Sequence, residues 1–411
     1  MTGNLRLGFH APDSTAELAH LVAEAADTRT PIEVRGRGSK HEVGRPVQAG
    51  SVVSTERLAE ITLYEPTELV VSALAGTPVV EVEHLLAEHG QQLAFEPVDL
   101  GPALGGKPGQ ASVGGVLATN FSGSRRILAG AARDHVLGVR GVNGRGEAFK
   151  SGGRVMKNVT GYDLSRALAG SWGTLAVMTE ITLKVLPAPK ETRTLLCFGL
   201  TDATAVEAMC LAVGTPFEVS GTAHVQEPLA KRFSEQDVVK ARASVTAIRI
   251  ENFPGAARHR TSRLKEKLAA YAPSVELDTE RSRRFWSEVK SLKMFQGSER
   301  PLWRISIAPS RAAKLVGIIA RTLDIRTVYD WSGGLVWLET ELTSDAGAVE
   351  IRRTLAEFGG HATLIRAEPG TRASLDVFQP LDPPLMALSA KLKAAFDPVG
   401  ILNPGRMYPG I

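Results

Sequence analysis

The most constraining feature of this chain is a glycine-rich, apolar stretch, GQASVGGVLATNFSG, which runs from Gly109 to Gly123. It is too rich in glycine and alanine for an ordinary core helix and too apolar for an ordinary surface loop. Because glycine lacks a Cβ, such a backbone can approach a flat ligand closely. The stretch predicts either a helix start whose first N–H groups face an anion or a helix packed tightly on a sheet. The candidate ligand-facing residues are Gly109, Ala111, Ser112, Val113, Gly114, Gly115, Ala118, Asn120 and Gly123.

A second glycine motif, RGRGSK, directly follows a predicted strand at residues 32–35. Its glycines allow successive N–H groups to point into one concavity, while a serine hydroxyl and basic side chains add donors and charge. The motif matches neither GxxxxGK[ST] nor GxGxxG. It predicts a pyrophosphate-binding loop, with a plain tight turn as the alternative. The residues concerned are Arg35, Gly36, Arg37, Gly38, Ser39 and Lys40.

Two further motifs lie later in the chain. In GSWGTLAVMTE, two glycines precede a β-branched strand, so backbone groups there could meet an adenine or ribose edge. NPGRM, close to the last residue, contains a Pro-Gly pair that usually marks only a turn. The candidate residues in these motifs are Gly170, Gly173, Thr174, Val177, Asn403 and Arg406.

The surrounding pattern is that of an α+β protein. An amphipathic helix capped by Asp13 or Ser14 leads into the strand at residues 32–35, and a helix from about Pro78 to His89 follows a β-rich segment. Strands at residues 136–142 and 148–150 flank an NGRG hairpin turn. Beyond residue 187 the glycine motifs stop, and strands alternate with amphipathic helices in a way that suggests an antiparallel sheet.

Composition excludes several classes of protein. The net charge of +4 is small for 411 residues, and the basic clusters lack the interleaved aromatic residues of nucleic-acid-binding surfaces. The two cysteines, Cys197 and Cys210, support neither a disulfide framework nor an iron-sulfur cluster held by this chain. We expect no direct membrane insertion, because no stretch approaches the roughly 20 apolar residues of a membrane span. The absence of a GxGxxG unit disfavours a nicotinamide-dependent enzyme.

The combination of these motifs and their order along the chain are more specific than any single motif. VRGRGSK, GQASVGGVLATNFSG, RDHVLGVRGV, GYDLSRALAGSWGTLAVMTEITLKVLP and FDPVGILNPGRMY together resemble the vanillyl-alcohol-oxidase superfamily of flavoproteins, also called the PCMH type. More narrowly, VMKNVTGYDLSRALAGSWGTLAV, LWRISIAPS, YDWSGGLVWL, GGHATLI and NPGRMY resemble the FAD-binding E subunit of bacterial glycolate oxidase.

This resemblance implies a two-lobed FAD-binding domain at residues 1–187, an α+β cap with an antiparallel sheet at 188–380, and a C-terminal segment at 381–411 that returns to the FAD domain. It implies that residues 35–40 hold the FAD pyrophosphate, 109–123 line the pyrophosphate and flavin, 170–177 meet the adenosine, and Asn403 with Arg406 reach the flavin edge. We expect non-covalent FAD, because Ser39 and Lys40 stand where some relatives carry the histidine that attaches the flavin; His41 is the nearest histidine.

The resemblance also implies a small 2-hydroxy acid substrate, a partner flavoprotein subunit and an iron-sulfur subunit. It implies a cytoplasmic location, with any contact to the inner membrane made through those partners. Oxidation of such an acid needs a cation for the carboxylate and a base for the hydroxyl proton. Arg304 is the candidate clamp and His361 the candidate base, with a surface arginine and a strand-edge histidine as the alternatives. No metal site is expected, because the GDGN-type histidine motif of catalytic relatives is missing. A subunit that only holds flavin or relays electrons, and a free-standing flavin oxidase, therefore remain open.

Overall fold

The computed structural model describes residues 8–154 and 162–411. The VMKNVTG part of the resemblance, residues 155–161, lies outside these ranges. The first lobe is a parallel sheet with the strand order β1-β3-β2, on which one helix packs. Its elements are β1 (Gly8–His10), α1 (Thr15–Asp27), β2 (Ile32–Arg35) and β3 (Ser51–Ser54). As predicted, Ser14 caps α1, since its hydroxyl accepts a hydrogen bond from the N–H of Glu17 at 3.2 Å.

The second lobe contains an antiparallel sheet with the strand order β4-β5-β9-β7-β8, and a short β6-β10 pair beside it. The helix predicted at about residues 78–89 is α2, and Pro78 and His89 are its caps. The elements are β4 (Ile61–Glu65), β5 (Val70–Leu74), α2 (Val79–Glu88), β6 (Gln91–Gln92), a 3₁₀ turn (Pro102–Leu104), α3 (Val113–Thr119), α4 (Arg126–Ala129), α5 (Ala132–His135), β7 (Val136–Asn143), β8 (Ala148–Gly152), α6 (Leu164–Leu168), β9 (Ala176–Lys184) and β10 (Leu186–Pro187).

The remainder forms a cap built on an antiparallel sheet with the order β14-β11-β13-β12-β16-β17-β15-β18. The α+β class and the antiparallel cap sheet predicted from the sequence are confirmed. The elements are β11 (Glu191–Phe198), α7 (Asp202–Val213), β12 (Val219–Val225), α8 (Glu227–Ala230), α9 (Gln236–Ala241), β13 (Val245–Asn252), α10 (Pro254–Leu268), β14 (Ser274–Leu277), α11 (Thr279–Lys290), a 3₁₀ turn (Lys293–Phe295), β15 (Leu302–Ser306), α12 (Pro309–Ile319), β16 (Ile325–Asp330), a 3₁₀ turn (Trp331–Gly333), β17 (Leu335–Thr340), α13 (Ala348–Phe358), β18 (His361–Arg366) and α14 (Pro369–Ser374).

The C-terminal segment returns to the first lobe. After α15 (Pro383–Phe396), the tail runs beside β2: Ile32 donates its N–H to the carbonyl of Ile401, and Asn403 donates its N–H to the carbonyl of Ile32. The ammonium of Lys393 is buried and donates to the carbonyls of Thr174 and Leu402, each at 2.7 Å. The last residues of the chain are thereby brought to the glycine motifs of the first third.

A buried ion cluster joins the cap to the second lobe. Arg249 of β13 donates to both carboxylate oxygens of Glu96, at 2.8 and 3.0 Å. In the opposite direction, Arg125 donates to both oxygens of Glu251 on β13, each at 2.7 Å. Because these charges neutralise one another across the junction, they stabilise one relative placement of cap and lobe. None of the helices in the two described ranges is long and apolar enough to cross a membrane.

Candidate functional site

An open cleft of about 680 Å³, counting the solvent space at its mouth, lies where the two lobes and the C-terminal tail meet; it is called the cavity below. Its wall combines the loop after β2, the start of α3, the turn before β9, and β9 itself. Of the predicted cofactor-binding residues, those that line it are Arg35, Gly36, Arg37, Gly38, Ser39, Lys40, Ser112, Gly114, Gly115, Ala118, Gly173, Val177 and Arg406. Motifs that are far apart in the sequence thus share one wall.

The RGRGSK loop forms a tight turn in the cavity wall. Gly38 has a φ of +78°, a conformation that favours glycine, and the N–H of His41 closes the turn on its carbonyl. A Cβ on Gly36 would lie only 2.4 Å from Oγ of Ser112 on the facing wall. The loop therefore brings its backbone close to α3 and leaves room for a ligand beside it.

Three cationic side chains place unpartnered nitrogen atoms in this cavity wall. Within the described chain, Nζ of Lys40, Nε of Arg37 and Nε of Arg406 are buried and have no hydrogen-bond partner. Burial lowers the pKa of Lys40 to about 8, against the opposing charge of Asp99, and it lowers the pKa of Arg406 to about 10, against that of Glu33. A buried N–H without an acceptor is unfavourable, so the wall is suited to an anionic ligand such as a pyrophosphate.

The glycine-rich stretch at 109–123 meets the cavity differently from the first of its two predicted arrangements. Its helix, α3, begins at Val113, but the first N–H groups are already bonded inside the protein: Val113 donates to Thr77 O, Gly114 to Ala75 O, and Gly115 to Oγ of Ser112. A Cβ on Gly114 would lie 2.9 Å from that of Ala75. The expectation of free helix N–H groups is therefore wrong, and the stretch supplies a smooth wall packed closely on the sheet.

Five predicted residues of this stretch lie behind the wall. The N–H of Gly109 donates to Oδ2 of Asp99 at 2.7 Å. The side chains of Ala111 and Val113 are buried in the core of the second lobe. Asn120 ends α3 with a φ of +53°, and its side chain accepts the N–H of Arg133 at 3.0 Å. The fifth, Gly123, is close-packed, since a Cβ there would lie 2.8 Å from Cβ of Glu96.

The third and fourth motifs, GSWGTLAVMTE and NPGRM, also contain both residues that line the cavity and residues that do not. Gly173 and Val177 line the cavity, whereas Gly170 and Thr174 lie outside its lining. The N–H of Gly170 donates to Leu117 O at 3.1 Å, and the hydroxyl of Thr174 donates to Ser171 O at 2.7 Å. Both residues shape the turn that presents Gly173.

Asn403 supports this turn from beneath. Its side chain accepts the N–H of Val34 at 2.8 Å and donates to Trp172 O at 2.8 Å. A Cβ on Gly173 would lie 2.8 Å from Nδ2 of Asn403, which explains why the position holds glycine. Asn403 therefore positions the wall, while Arg406, whose guanidinium donates to Lys40 O at 3.1 Å, reaches the cavity itself.

Some cavity residues were not among the predicted site residues, although several of them lie within the motifs. Trp172, with a φ of +54°, lies under the guanidinium of Arg406 at 5.8 Å from its ring centroid. Small and apolar residues from several elements complete the lining; only the glycines beside them gave a signal. The residues not predicted are Val34, His41, Thr55, Ala75, Thr119, Trp172, Ala176 and Met178.

The two candidate catalytic residues lie on one face of the cap sheet. Arg304 on β15 pairs with Thr363 of β18, and His361 is two residues before Thr363. Because alternate residues of a strand share a face, His361 and Arg304 project to the same side. The structure therefore brings this pair together, as the hypothesis requires.

Arg304 is held by aromatic rings. It is only 8% exposed, and its guanidinium lies 5.2 Å from the ring centroids of both Phe121 and Trp331. Burial, together with the positive charge of Arg126, lowers the pKa of Arg304 to about 10. The ring of His361 keeps an exposed edge, and partial desolvation, with the charges of both arginines, lowers its pKa below the usual value. A histidine of this kind is neutral at pH 7 and able to accept a proton.

Comparison with known proteins agrees with this architecture. The family model of an FAD binding domain matches residues 7–152. The crystal structure of p-cresol methylhydroxylase with substrate bound superimposes with a TM-score of 0.75 over 98% of this chain and 88% of that one; at 14% identity, this shows a shared fold. The D-lactate dehydrogenase of Archaeoglobus fulgidus is 26% identical over 432 residues, covering 96% of this chain and 90% of that protein.

Fold, cavity and relatives define the class: the protein is an FAD-dependent hydroxy-acid oxidoreductase with a PCMH-type fold. Its glycine-lined cavity, with unpartnered N–H groups on three cationic side chains, fits the flat, doubly charged FAD. The glycolate oxidase subunit GlcE of Escherichia coli (strain K12) is 34% identical over 401 residues, covering 96% of this chain and 98% of that protein. The chain belongs to this GlcE family of glycolate oxidase subunits, as the motifs of its sequence indicated.

Proposed function

We propose that this chain is the FAD-holding subunit of a complex that oxidises glycolate to glyoxylate and passes the electrons to an iron-sulfur subunit. The observation that supports this best is the placement of three cationic side chains with unpartnered nitrogens in the cavity wall, and of Arg304 with His361 on one face of the cap. FAD, when bound, would accept the two electrons of the oxidation. The other requirements of the reaction fall to the chain's own side chains.

For the cofactor, the loop at residues 35–40 and Arg406 would hold the pyrophosphate, and α3 with Gly173 and Val177 would form the wall along the flat parts of FAD. The residues behind the wall, such as Asn403, would act by positioning it. Attachment would be non-covalent: Ser39 follows Gly38, and the ring of the nearby His41 hydrogen-bonds to Gly38 O at 2.6 Å and to the Glu42 carboxylate at 2.8 Å. The proposed division of the chain is an FAD domain at 1–187, a cap at 188–380 and a returning segment at 381–411.

For the substrate, Arg304 would bind the carboxylate of the 2-hydroxy acid, because a guanidinium can donate two parallel hydrogen bonds to it. His361 would take the hydroxyl proton, since its lowered pKa keeps the ring neutral at pH 7. The aromatic rings around Arg304 exclude water, which strengthens the ion pair that the carboxylate would form.

The electrons would leave through partners. Cys197 is buried in the cap sheet and Cys210 lies on α7, so the two cysteines of the chain provide no set of ligands for a cluster. A separate iron-sulfur subunit and a partner flavoprotein subunit would therefore complete the complex, as the word subunit in the name of the E. coli relative suggests. The proposed location is the cytoplasm, where these partners would hold the chain at the inner membrane.

One observation favours a second function, in which the chain holds flavin and relays electrons without turning over substrate. In the described ranges, no hydrogen bond orients the ring of His361, although a general base is normally held in position by one. The glycine-lined cavity, in contrast, gathers thirteen of the predicted cofactor-binding residues in one wall. A free-standing oxidase of glycolate or D-lactate is the third arrangement compatible with the relatives.

The visible spectrum of the purified FAD-loaded chain, recorded anaerobically before and after addition of glycolate, tests these functions. Bleaching of the flavin band, without hydrogen peroxide formation when air is admitted, supports the proposed dehydrogenase subunit. Bleaching with peroxide formation supports the oxidase. A flavin that does not bleach, either alone or with the other subunits when only this chain carries FAD, contradicts catalysis by this chain.

A further inference from the structure

Two arginines from different parts of the molecule converge on one tryptophan. Arg126, the first residue of α4 in the FAD domain, has its guanidinium carbon 4.7 Å from the ring centroid of Trp331. Arg304 of the cap lies 5.2 Å from the same centroid, and 6.0 Å from that of Trp337. Two like charges are thus drawn to one small region at the junction of cap and FAD domain.

Neither guanidinium has a counter-ion within bonding distance. Residues 8–154 and 162–411 offer no hydrogen-bond acceptor or salt-bridge partner to the side chain of Arg126 or Arg304. The acids whose charges act on Arg304 and Arg126 are Asp330 and Asp134, and both already accept other hydrogen bonds. Asp330 accepts from Ser124 and from the N–H of Trp331, and Asp134 accepts the N–H of Ala131. The charges of Asp330 and Asp134 favour the two arginines without bonding to them, and an anion between the guanidiniums would supply the direct contact that is missing.

The backbone between the two arginines is held in an unusual conformation. Trp331 and Ser332 both have positive φ values, 51° and 57°, which are rare for residues other than glycine. The N–H of Ser332 donates to the hydroxyl of Thr222 at 2.8 Å, and the indole N–H of Trp331 donates to Gly123 O, across the domain junction, at 3.0 Å. Strain of this kind persists where the surroundings over-determine it, and it is concentrated at ligand sites. Here it fixes the ring that both guanidiniums contact.

We propose that Arg126 is a second substrate-binding residue, and that Arg126 and Arg304 together form a carboxylate site that closes across the junction of the FAD domain and the cap. The assignment rests on the proposed function, which gives the carboxylate to Arg304 alone. With Arg126 included, the acid is bound from both domains, so the site is complete only when the cap is seated. Phe121, Trp331 and Trp337 lie around Arg304, with ring centroids 5.2, 5.2 and 6.0 Å from its guanidinium.

The test is calorimetric titration of the FAD-loaded chain with oxalate, a two-carbon carboxylate that carries no hydrogen on carbon and cannot be oxidised by hydride loss. We expect Arg126→Gln and Arg304→Gln each to weaken oxalate binding about 10- to 100-fold, the usual loss for a charge-assisted hydrogen bond. Arg126→Lys should recover part of the affinity. Arg284→Gln, at a half-exposed arginine whose ion-pair partner is Glu280 of the same helix, is the matched control and should bind oxalate like the unmodified protein.

Each other outcome separates the inference from the function on which it rests. Normal oxalate affinity in Arg126→Gln, with a loss in Arg304→Gln, overturns the role of Arg126 and leaves the proposed function standing. Normal oxalate affinity in Arg126→Gln together with a shifted flavin potential also overturns it. Arg126 would then stabilise negative charge on the flavin and not bind the substrate carboxylate. Loss of oxalate binding in both variants supports the two-arginine site, even if glycolate never bleaches the flavin and the proposed function fails.

Discussion

The replacement of Lys40 by methionine separates the stability of the FAD-free chain from its affinity for FAD. Lys40 is only 7% exposed, and its ammonium has no hydrogen-bond partner among the described residues. Methionine keeps an unbranched side chain of similar length and removes the charge. Packing around the RGRGSK loop should therefore change little, and the effects should report on the charge alone.

The cost of that charge follows from its pKa. Burial lowers the pKa of Lys40 from 10.5 to about 8. One pKa unit corresponds to about 1.4 kcal/mol, so holding the ammonium in the FAD-free protein costs roughly 3 kcal/mol at pH 7. Because the folded pKa lies below the unfolded one, the full cost applies below pH 8 and fades as the pH rises towards 10.5. We expect Lys40→Met to stabilise the FAD-free chain by about 3 kcal/mol at pH 7 and by less at pH 9.5.

The effect on the cofactor has the opposite sign. A buried ammonium that meets a phosphate contributes roughly 1.5–3 kcal/mol, the range for hydrogen bonds to charged groups. Without it, FAD should bind about 10- to 100-fold more weakly. One substitution is thus expected to make the empty protein more stable and the loaded protein poorer in FAD.

Urea unfolding of the FAD-free chain at the two pH values, and titration with FAD followed by flavin fluorescence, measure the two effects. Lys391→Met, at an exposed lysine of α15, is the control and should change neither. A Lys40→Met protein that is less stable than the unmodified chain at pH 7 would refute the charge argument. Unchanged FAD affinity would show that the ammonium does not face the pyrophosphate.

Three further predictions concern the rest of the site. Arg304→Gln should raise the pKa of His361 towards its usual value, because a positive charge that disfavours protonation is removed; an NMR titration of the ring that showed a lower or unchanged pKa would contradict this. Asn403→Ala should destabilise the chain by about 2–3 kcal/mol in denaturant unfolding, since two buried backbone groups lose their partners, whereas a change below ~0.5 kcal/mol would mean that water replaces the amide. Arg249→Met should cost about 3 kcal/mol by the same assay, and the double variant with Glu96→Gln should recover part of it, because the buried carboxylate is then no longer charged; no recovery would assign the loss to packing.

The sequence predicted local structure well wherever a residue type has a strong backbone preference. The strand at residues 32–35 and its glycine turn, the cap at Ser14 and the proline-started helix α2 follow from hydrogen-bonding and φ preferences that act within a few residues. The order of the glycine motifs also indicated the flavoprotein family. These features need no knowledge of which segments meet in space.

The sequence could not show which acceptors bind the N–H groups in the first turn of α3. Their acceptors, Thr77 O and Ala75 O, lie more than 30 residues earlier and are brought near only by the packing of α3 on β5. For the same reason, Asn403 was predicted to touch the flavin, whereas its amide is used to hold β2 against the turn at Trp172. A short motif specifies which groups are available and not which partner takes them.

Chemistry that depends on the meeting of separate segments was decided by the tertiary structure alone. Lys40 is an ordinary lysine in the sequence, and it acquires a pKa of about 8 only because the lobes and tail close around it. Arg126 lies in no motif and Trp331 in YDWSGGLVWL, and neither segment shows in the sequence that both residues meet Arg304 at the cap junction. Local propensity acts over a few bonds and can be read along the chain, whereas burial and electrostatic coupling depend on distances in space, which folding sets.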